Sequence, residues 1–272
     1  LYITNFEYDG TVLSDFGFIV CEFNRQSGAN VTQKGSEVSF ITYPVNAGKR
    51  FIVGGTKYED CLEATIQICK DPEIFTEEEM VISPEEFRQL SRWLNRREFL
   101  WFHGYDTCGC APATAWFRAS FRLSKIQFAG DTVGISLDIT TDSPFGYGEE
   151  VRQTVSFTDG ELTKNIRDQN DEIGEITPYM EVTCNGTGAL SLANEMTGRT
   201  FSVENCSSGE VITQSGDTMI IETSDDAHDI ANDFNYEFFR LGNTYSDRDN
   251  MVTASMPCTV VLSYRPIYKD TL

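Results

Sequence analysis

The 272-residue chain has very little histidine, little positive charge and no long apolar run. Only His103 and His228 are present, and neither has a Cys or Ser partner nearby in sequence. The usual catalytic signatures are missing too: there is no G-x-S-x-G elbow, P-loop, H-E-x-x-H or Gly-rich dinucleotide fingerprint. The enzyme classes that depend on them are therefore disfavoured, and we read the chain as non-enzymatic. His103 follows the apolar run Phe99–Phe102 and is read as a structural or hydrogen-bonding residue.

Lys and Arg total 21 against 42 Asp and Glu, a formal net charge of −21. Residues 1–150 carry −9 and residues 151–272 carry −12, so neither half offers a basic patch. Tight binding to a phosphate backbone needs clustered Lys and Arg, and an anionic membrane surface needs the same. No apolar stretch has the length of a spanning helix, so membrane insertion is not expected. The opening residues LYITNFEYDG have no charged n-region and no apolar h-region, and are not read as a signal peptide.

The eight cysteines are not scarce. Several sit inside strand-like runs as small apolar residues would, and we favour free thiols over a disulfide framework. Cys108-Gly109-Cys110 has no second pair at zinc spacing, so it is a weak metal signal. The acidic segments Ser224–Asp229 and Asp247–Asn250 could each offer oxygens to calcium, but such clusters are common in so acidic a chain. No cofactor and no metal site is assigned. Three glycosylation sequons, beginning at Asn30, Asn185 and Asn205, carry no weight without secretion.

With 40% hydrophobic and 12% aromatic residues, the chain has the composition of a folded globular protein. Its most informative stretch is 114–148. Phe117, Ala119, Phe121 and Leu123 alternate with Arg118, Ser120, Arg122 and Ser124. After a turn at Ala129-Gly130-Asp131, Val133, Ile135, Leu137 and Ile139 alternate with polar residues. Period-two alternation on both arms predicts a long two-stranded ribbon with one apolar face. Ser143-Pro144-Phe145-Gly146-Tyr147-Gly148 breaks the pattern and marks a domain exit. We therefore expect an N-terminal domain over 1–148 and a β-sandwich over 149–272.

In chain order, strands are expected at Tyr2–Tyr8, Phe18–Phe23, Glu37–Tyr43 (ended by Pro44), Glu59–Cys69 and Phe99–Phe102. Residues 24–36 read as a loop and 46–57 as a long mobile connection. Ser83-Pro84-Glu85-Glu86 is a capping box with Pro at the first helical position, and Phe87, Leu90, Trp93 and Leu94 give an apolar stripe behind it. That helix is expected to plug the open side of the first domain. In the second half, strands are expected at Gln153–Phe157, Ile176–Cys184, Ala189–Ala193, Arg199–Val203, Thr218–Glu222, Tyr236–Arg240 and Thr253–Tyr264. Many short strands with turn signals between them predict an antiparallel sandwich. The fold class is thus mainly β, with one α-helix and a long ribbon in the first domain. Trp116 shares the polar face of the ribbon with Arg118 and Arg122, which suits either an interface or an ordinary amphipathic surface.

The order of these features resembles the distal tail protein family of phages with long, flexible, non-contractile tails. In the first half the resemblance lies in Asp9-Gly10, Asp15–Val20, the Gly-rich stretch before Tyr58, the Glu59–Cys69 strand, Arg92-Trp93-Leu94 and Asp142–Tyr147. In the second it lies in Asn194–Arg199, Gly209–Ile212, Leu241–Thr244 and Leu262–Pro266. Two features depart from the pattern: no Pro precedes Gly242, and Ser224–Phe234 is unusually acidic. The resemblance implies a structural virion protein at the tail tip, with N-terminal domains forming a hexameric ring under the tail tube and a galectin-like C-terminal sandwich facing outward. It implies contacts with further copies of itself, a tail tube protein, a tail hub protein and receptor-binding or fibre components, with DNA passing through a bore without tight binding. Assembly in the host cytoplasm fits unpaired thiols. Within this reading Trp116, Arg118 and Arg122 are candidate ring-contact residues. The rival reading is a carbohydrate-binding sandwich or an accessory module of a glycan-acting enzyme, since a fold alone does not fix function.

Overall fold

A computed structural model describes residues 3–23, 37–105 and 115–269. Cys108-Gly109-Cys110, the 24–36 loop and the first sequon lie outside the described residues. The fold is mainly β. The chain divides into two compact units, 1–147 with 269–272, and 148–268.

The first unit is built on a seven-stranded antiparallel sheet. Its strands are β1 (Asn5–Tyr8), β2 (Thr11–Val12), β3 (Phe18–Cys21), β6 (Glu63–Lys70), β7 (Leu100–Tyr105), β8 (Phe117–Phe128) and β9 (Asp131–Thr141), in the order β2-β1-β7-β8-β9-β6-β3. The intervening β4 (Val38–Val45) and β5 (Arg50–Tyr58) form a separate two-stranded hairpin. Helix α1 (Pro84–Leu94) lies between β6 and β7 in sequence.

β8 and β9 are the expected ribbon. They pair from Ala119↔Thr141 to Phe128↔Asp131, and Ala129 and Gly130 take positive φ at the turn. Phe117, Ala119, Phe121, Ile135, Leu137 and Ile139 bury their side chains in one core. A bulge at Ile126/Gln127 ends the regular register, and the ribbon tip runs past the core, leaving Phe128 75% exposed. On β6, Ala64, Ile66 and Ile68 supply the core face while Glu63 and Thr65 face solvent.

The capping box forms as written in the sequence. Ser83 Oγ accepts from Glu86 N at 3.2 Å, and Glu86 Oε2 accepts from Ser83 N at 2.7 Å. Leu90, Trp93 and Leu94 are buried, and Phe87 packs at the margin of the same core. Trp93 stacks on Phe6 and Phe16 and donates its indole N–H to Tyr8 O at 3.1 Å. A half-buried ion pair completes the attachment: the buried Lys70 on β6 meets the partly exposed Glu86 at 2.7 Å and donates to Glu79 O.

The segment 46–57 is not a connection. β5 occupies most of it, and β4 runs through Pro44 to Val45. Both strands of a two-stranded ribbon are edges, where a residue without N–H is tolerated. The turn takes Asn46, Ala47 and Gly48 at positive φ. A bulge between Ile41 and Thr42 is matched by Gly54, whose missing side chain leaves room for the Tyr43 ring.

In the second unit, β11 (Val151–Phe157), β14 (Tyr179–Cys184), β17 (Val211–Gln214), β18 (Ile221–Thr223) and β21 (Cys258–Tyr264) form a sheet ordered β11-β21-β14-β17-β18. A second sheet, β12-β20-β15-β16, uses Thr163–Arg167, Asp249–Ala254, Gly188–Asn194 and Arg199–Cys206. Val182, Val260 and Leu262 from the first sheet share one core with Leu190, Leu192, Phe201 and Val252 from the second, which makes the unit a β-sandwich. β13 (Gly174–Ile176) pairs with β19 (Leu241–Asn243).

Four expected strands differ from what forms. Ile176–Cys184 breaks at Pro178, and Thr253–Tyr264 breaks before Pro257, so each piece joins a different sheet. Thr218–Glu222 shortens to β18, because Met219 takes φ +54°. Tyr236–Arg240 is not a strand: Tyr236 takes φ +61°, which ends extended structure for a residue with a side chain. A short helix α2 (Ile230–Asp233) precedes it and was not foreseen.

Candidate interaction surfaces

Because successive side chains alternate across a strand, Trp116 and the exposed Arg118 and Arg122 share the outward face of β8. They are spread along that face, and the structure engages them unequally. Trp116 stacks on His103 with centroids 4.3 Å apart and meets Trp101 edge-on. Its backbone exchanges two 2.7 Å hydrogen bonds with Tyr147 in β10 (Gly146–Tyr147). Arg118 pairs with Asp142 at 3.3 Å and donates to Phe99 O at 3.2 Å. Partial burial raises the Asp142 carboxyl above its usual range against the lowering pull of Arg118. Arg122 is exposed, opposite Asp138 in the register. His103 takes the structural place expected of it, with Nδ1 3.3 Å from Ala115 O.

The larger exposed surface is the β4–β5 hairpin, which sequence reading missed. Directly opposed residues share a face. One face therefore carries Ile41, Tyr43 and Ile52, and the other Val38, Phe40, Phe51 and Val53. All seven are exposed large hydrophobics, with Phe40 at 61%, Tyr43 at 60% and Phe51 at 59%. The available signal was the turn sequence Asn46-Ala47-Gly48 between two apolar runs; apolar residues on both faces left no period-two pattern to read. Residues 38–58 contain Lys49, Arg50 and Lys57 and no acid, so the first half does hold a locally basic stretch, contrary to the expectation from its net charge. At the base, Tyr58 packs edge-on against Phe145 at 4.7 Å, and Glu59 accepts from Ser39 and pairs with Lys57.

In the second unit the motif residues serve the fold. Asn250 Oδ1 accepts from Gly242 N and from Asn194 Nδ2, each at 2.8 Å, and Asn194 Oδ1 accepts from Met196 N. A Cβ on Gly242 would lie 2.6 Å from Met196 Cγ, so close approach requires the glycine. The Asp247–Asn250 segment is used internally: Arg248 meets Asp171 and Asp249 meets Arg167.

The Ser224–Asp229 segment carries His228, which sequence reading left without a partner. Its Nδ1 lies 2.5 Å from Glu210 Oε1 and its Nε2 3.1 Å from Asp233 Oδ2. The His228 and Glu210 side chains are 4% and 1% exposed. Glu210 also accepts from Thr223 Oγ1 at 2.5 Å and Ser207 N at 2.8 Å. Burial works to raise the Glu210 carboxyl, but these hydrogen bonds and the imidazole outweigh it and hold it below its usual range. Burial works to lower His228, but Glu210, with smaller help from Cys206 and Asp233, raises it. The partners lie many residues apart in sequence, so no spacing rule could have paired them. Among the described residues no group of three or more His, Cys, Asp or Glu side chains is arranged to hold a metal ion. No described helix is long and apolar enough to cross a membrane.

The structure thus defines a mainly β protein of two antiparallel units, the first of which carries an exposed apolar hairpin. The particular family follows from sequence models: residues 1–143 match the phage tail protein N-terminal domain, and residues 145–264 match the phage tail C-terminal domain. The chain belongs to this family of phage tail proteins. No curated protein matches the sequence. Among solved structures, the chain is similar to the phage SPP1 Dit protein (gp 19.1), described as a paradigm of the hub adsorption apparatus in phages infecting Gram-positive hosts. The TM-score is 0.68 at 13% identity, covering 97% of this chain and 99% of that one. That likeness is one of fold, and it spans both units.

Proposed function

We propose that this phage tail protein forms a hexameric ring at the distal end of the tail tube, lines the path of the DNA, and connects the tube to a tail hub and to host-adsorption components. The observation that carries the ring is the β4–β5 hairpin. An isolated two-stranded hairpin is marginal in water, and seven large exposed apolar residues on it need cover. The occupant we assign is a second copy of the chain. The hairpin is basic and the remainder of the chain strongly acidic, so the hairpin of one copy and the body of the next are complementary in charge. Such a contact is head-to-tail, and repeated head-to-tail contacts close into rings. Trp116, Arg118 and Arg122 form a second candidate contact face, with Arg122 the least committed of the three. The acidic balance suits a bore that DNA crosses without sticking. Assembly takes place in the host cytoplasm and the final location is the virion tail tip.

Phe40→Glu with Phe51→Glu tests the reading. The pair should convert the assembled species to monomer while leaving the circular dichroism spectrum of the folded chain unchanged. Full retention of assembly by this variant would refute the hairpin as the ring contact.

A further inference from the structure

Six cysteines lie among the described residues, and all are free thiols. Two pairs of them touch. Cys184 and Cys206 hydrogen-bond to one another in the buried core of the second unit. Cys21 and Cys69 hydrogen-bond to one another in the first unit, and both are partly exposed.

The placement of the second pair follows from the sheet. β3 is its edge strand and pairs antiparallel with β6 in the register Ile19↔Cys69 and Cys21↔Gln67. Cys21 and Cys69 are therefore diagonal neighbours on one face. That face is the outer one, because Val20 and the fully buried Ile68 point to the core. Sheet twist shortens one of the two diagonals between adjacent strands, and the contact between the thiols identifies this as the short one. Facing, adjacent Cβ atoms are the geometric requirement for a disulfide.

We infer that Cys21 and Cys69 form a thiol-modification site, which a small-molecule disulfide such as oxidised glutathione converts to an intramolecular bond stapling β3 to β6. The two thiols share one hydrogen bond, which favours loss of a single proton from the pair. With that proton lost to solvent from Cys69, its thiolate attacks. It bonds to one sulfur of the small disulfide and expels the other as thiolate. Cys21 then gives up its proton to solvent, attacks Cys69 Sγ and expels the second thiolate. Two protein thiols and one small disulfide become one protein disulfide and two small thiols.

The bond closes a loop over residues 22–68, which contains the whole β4–β5 hairpin. It fixes the edge strand from which the chain departs to the strand on which it returns. The occasion for it rests on the proposed assembly in a reducing cytoplasm and release to an oxidising exterior. The chemistry itself does not depend on that reading.

The test uses the purified full chain, incubated natively with oxidised glutathione, then alkylated and mapped by peptide mass without reduction. A peptide pair linking Cys21 to Cys69 is expected, while the buried Cys184 and Cys206 remain alkylable after unfolding. Cys108 and Cys110 are followed in the same map. The thermal midpoint of the first unit should rise by several degrees, return on reduction, and not move in Cys21→Ser or Cys69→Ser. If Cys21 and Cys69 stay free or stop at mixed disulfides, the inference is overturned. A linked pair without a rise in midpoint overturns the stapling role. Neither result alters the native mass, so failure here is separable from failure of the ring.

Discussion

Replacing Glu210 by Ala should be among the most damaging single changes in the second unit. Glu210 accepts from three donors brought from separate segments: Ser207 N, Thr223 Oγ1 and His228 Nδ1. With a side chain only 1% exposed, water cannot replace those bonds in the intact fold. Each orphaned buried donor costs about 1–3 kcal/mol. Breaking a buried ion pair from one side costs about 3–5 kcal/mol. Asp233 stays beside His228 and softens the second figure, so the whole loss should fall near 3–5 kcal/mol. That is a drop in thermal midpoint of roughly 10 °C or more for a unit of this size. Glu210→Gln keeps one acceptor oxygen, enough for Ser207 N or for Thr223 Oγ1 but not for both, and should lose less than Glu210→Ala.

The pH profile gives an independent reading of the same cluster. Glu210 titrates below its ordinary value of 4.5, so its contribution is full above that value and fades as pH falls through the lowered one. His228 titrates above its ordinary 6.5, so its contribution is full below that value and fades as pH rises through the raised one. The groups facing the imidazole are Glu210, Asp233 and Cys206. The stability that His228→Ala removes should therefore peak between about pH 4.5 and 6.5 and shrink on both sides. Denaturant titrations across that range, following the second unit, provide the assay. A Glu210→Ala cost below about 1 kcal/mol, or a His228→Ala difference flat with pH, would refute the coupling.

Three further outcomes follow from named contacts. Ser83→Ala should cost about 1 kcal/mol, read by urea unfolding, because it removes the acceptor for Glu86 N at the start of α1. Lys70→Ala should cost more, about 3 kcal/mol, because it leaves Glu86 and the Glu79 carbonyl without their cation; thermal unfolding of the first unit reads it. Arg122→Glu sets a carboxylate opposite Asp138 and should cost at most about 1 kcal/mol of stability, while weakening assembly in sedimentation if the outward face of β8 contributes to the ring.

The sequence was most legible where a side-chain pattern maps directly onto one local geometry. The capping box at Ser83 and the stripe Phe87, Leu90, Trp93, Leu94 specify a helix with one buried face, and the alternation on β8 and β9 specifies a ribbon with one register. The likeness to distal tail proteins was carried by the order of short motifs, which the structure places in turns and buried polar networks such as Asn194–Asn250. The hairpin was illegible for a physical reason. Its strands face no core in their own chain, so their apolar residues do not alternate, and Pro44 looks like a stop when the partner strand is unknown. The strand breaks at Pro178 and Pro257 were visible as residues, but which sheet each piece would join depends on long-range pairing. The Glu210–His228–Asp233 cluster is long-range in the same sense.

The central claim is the hexameric ring, and the native mass of the purified full chain in physiological salt, followed by negative-stain imaging, tests it most directly. The account predicts a six-fold mass and annular particles with a central bore. A monomer that persists at every concentration, with the apolar hairpin left in water, would contradict it.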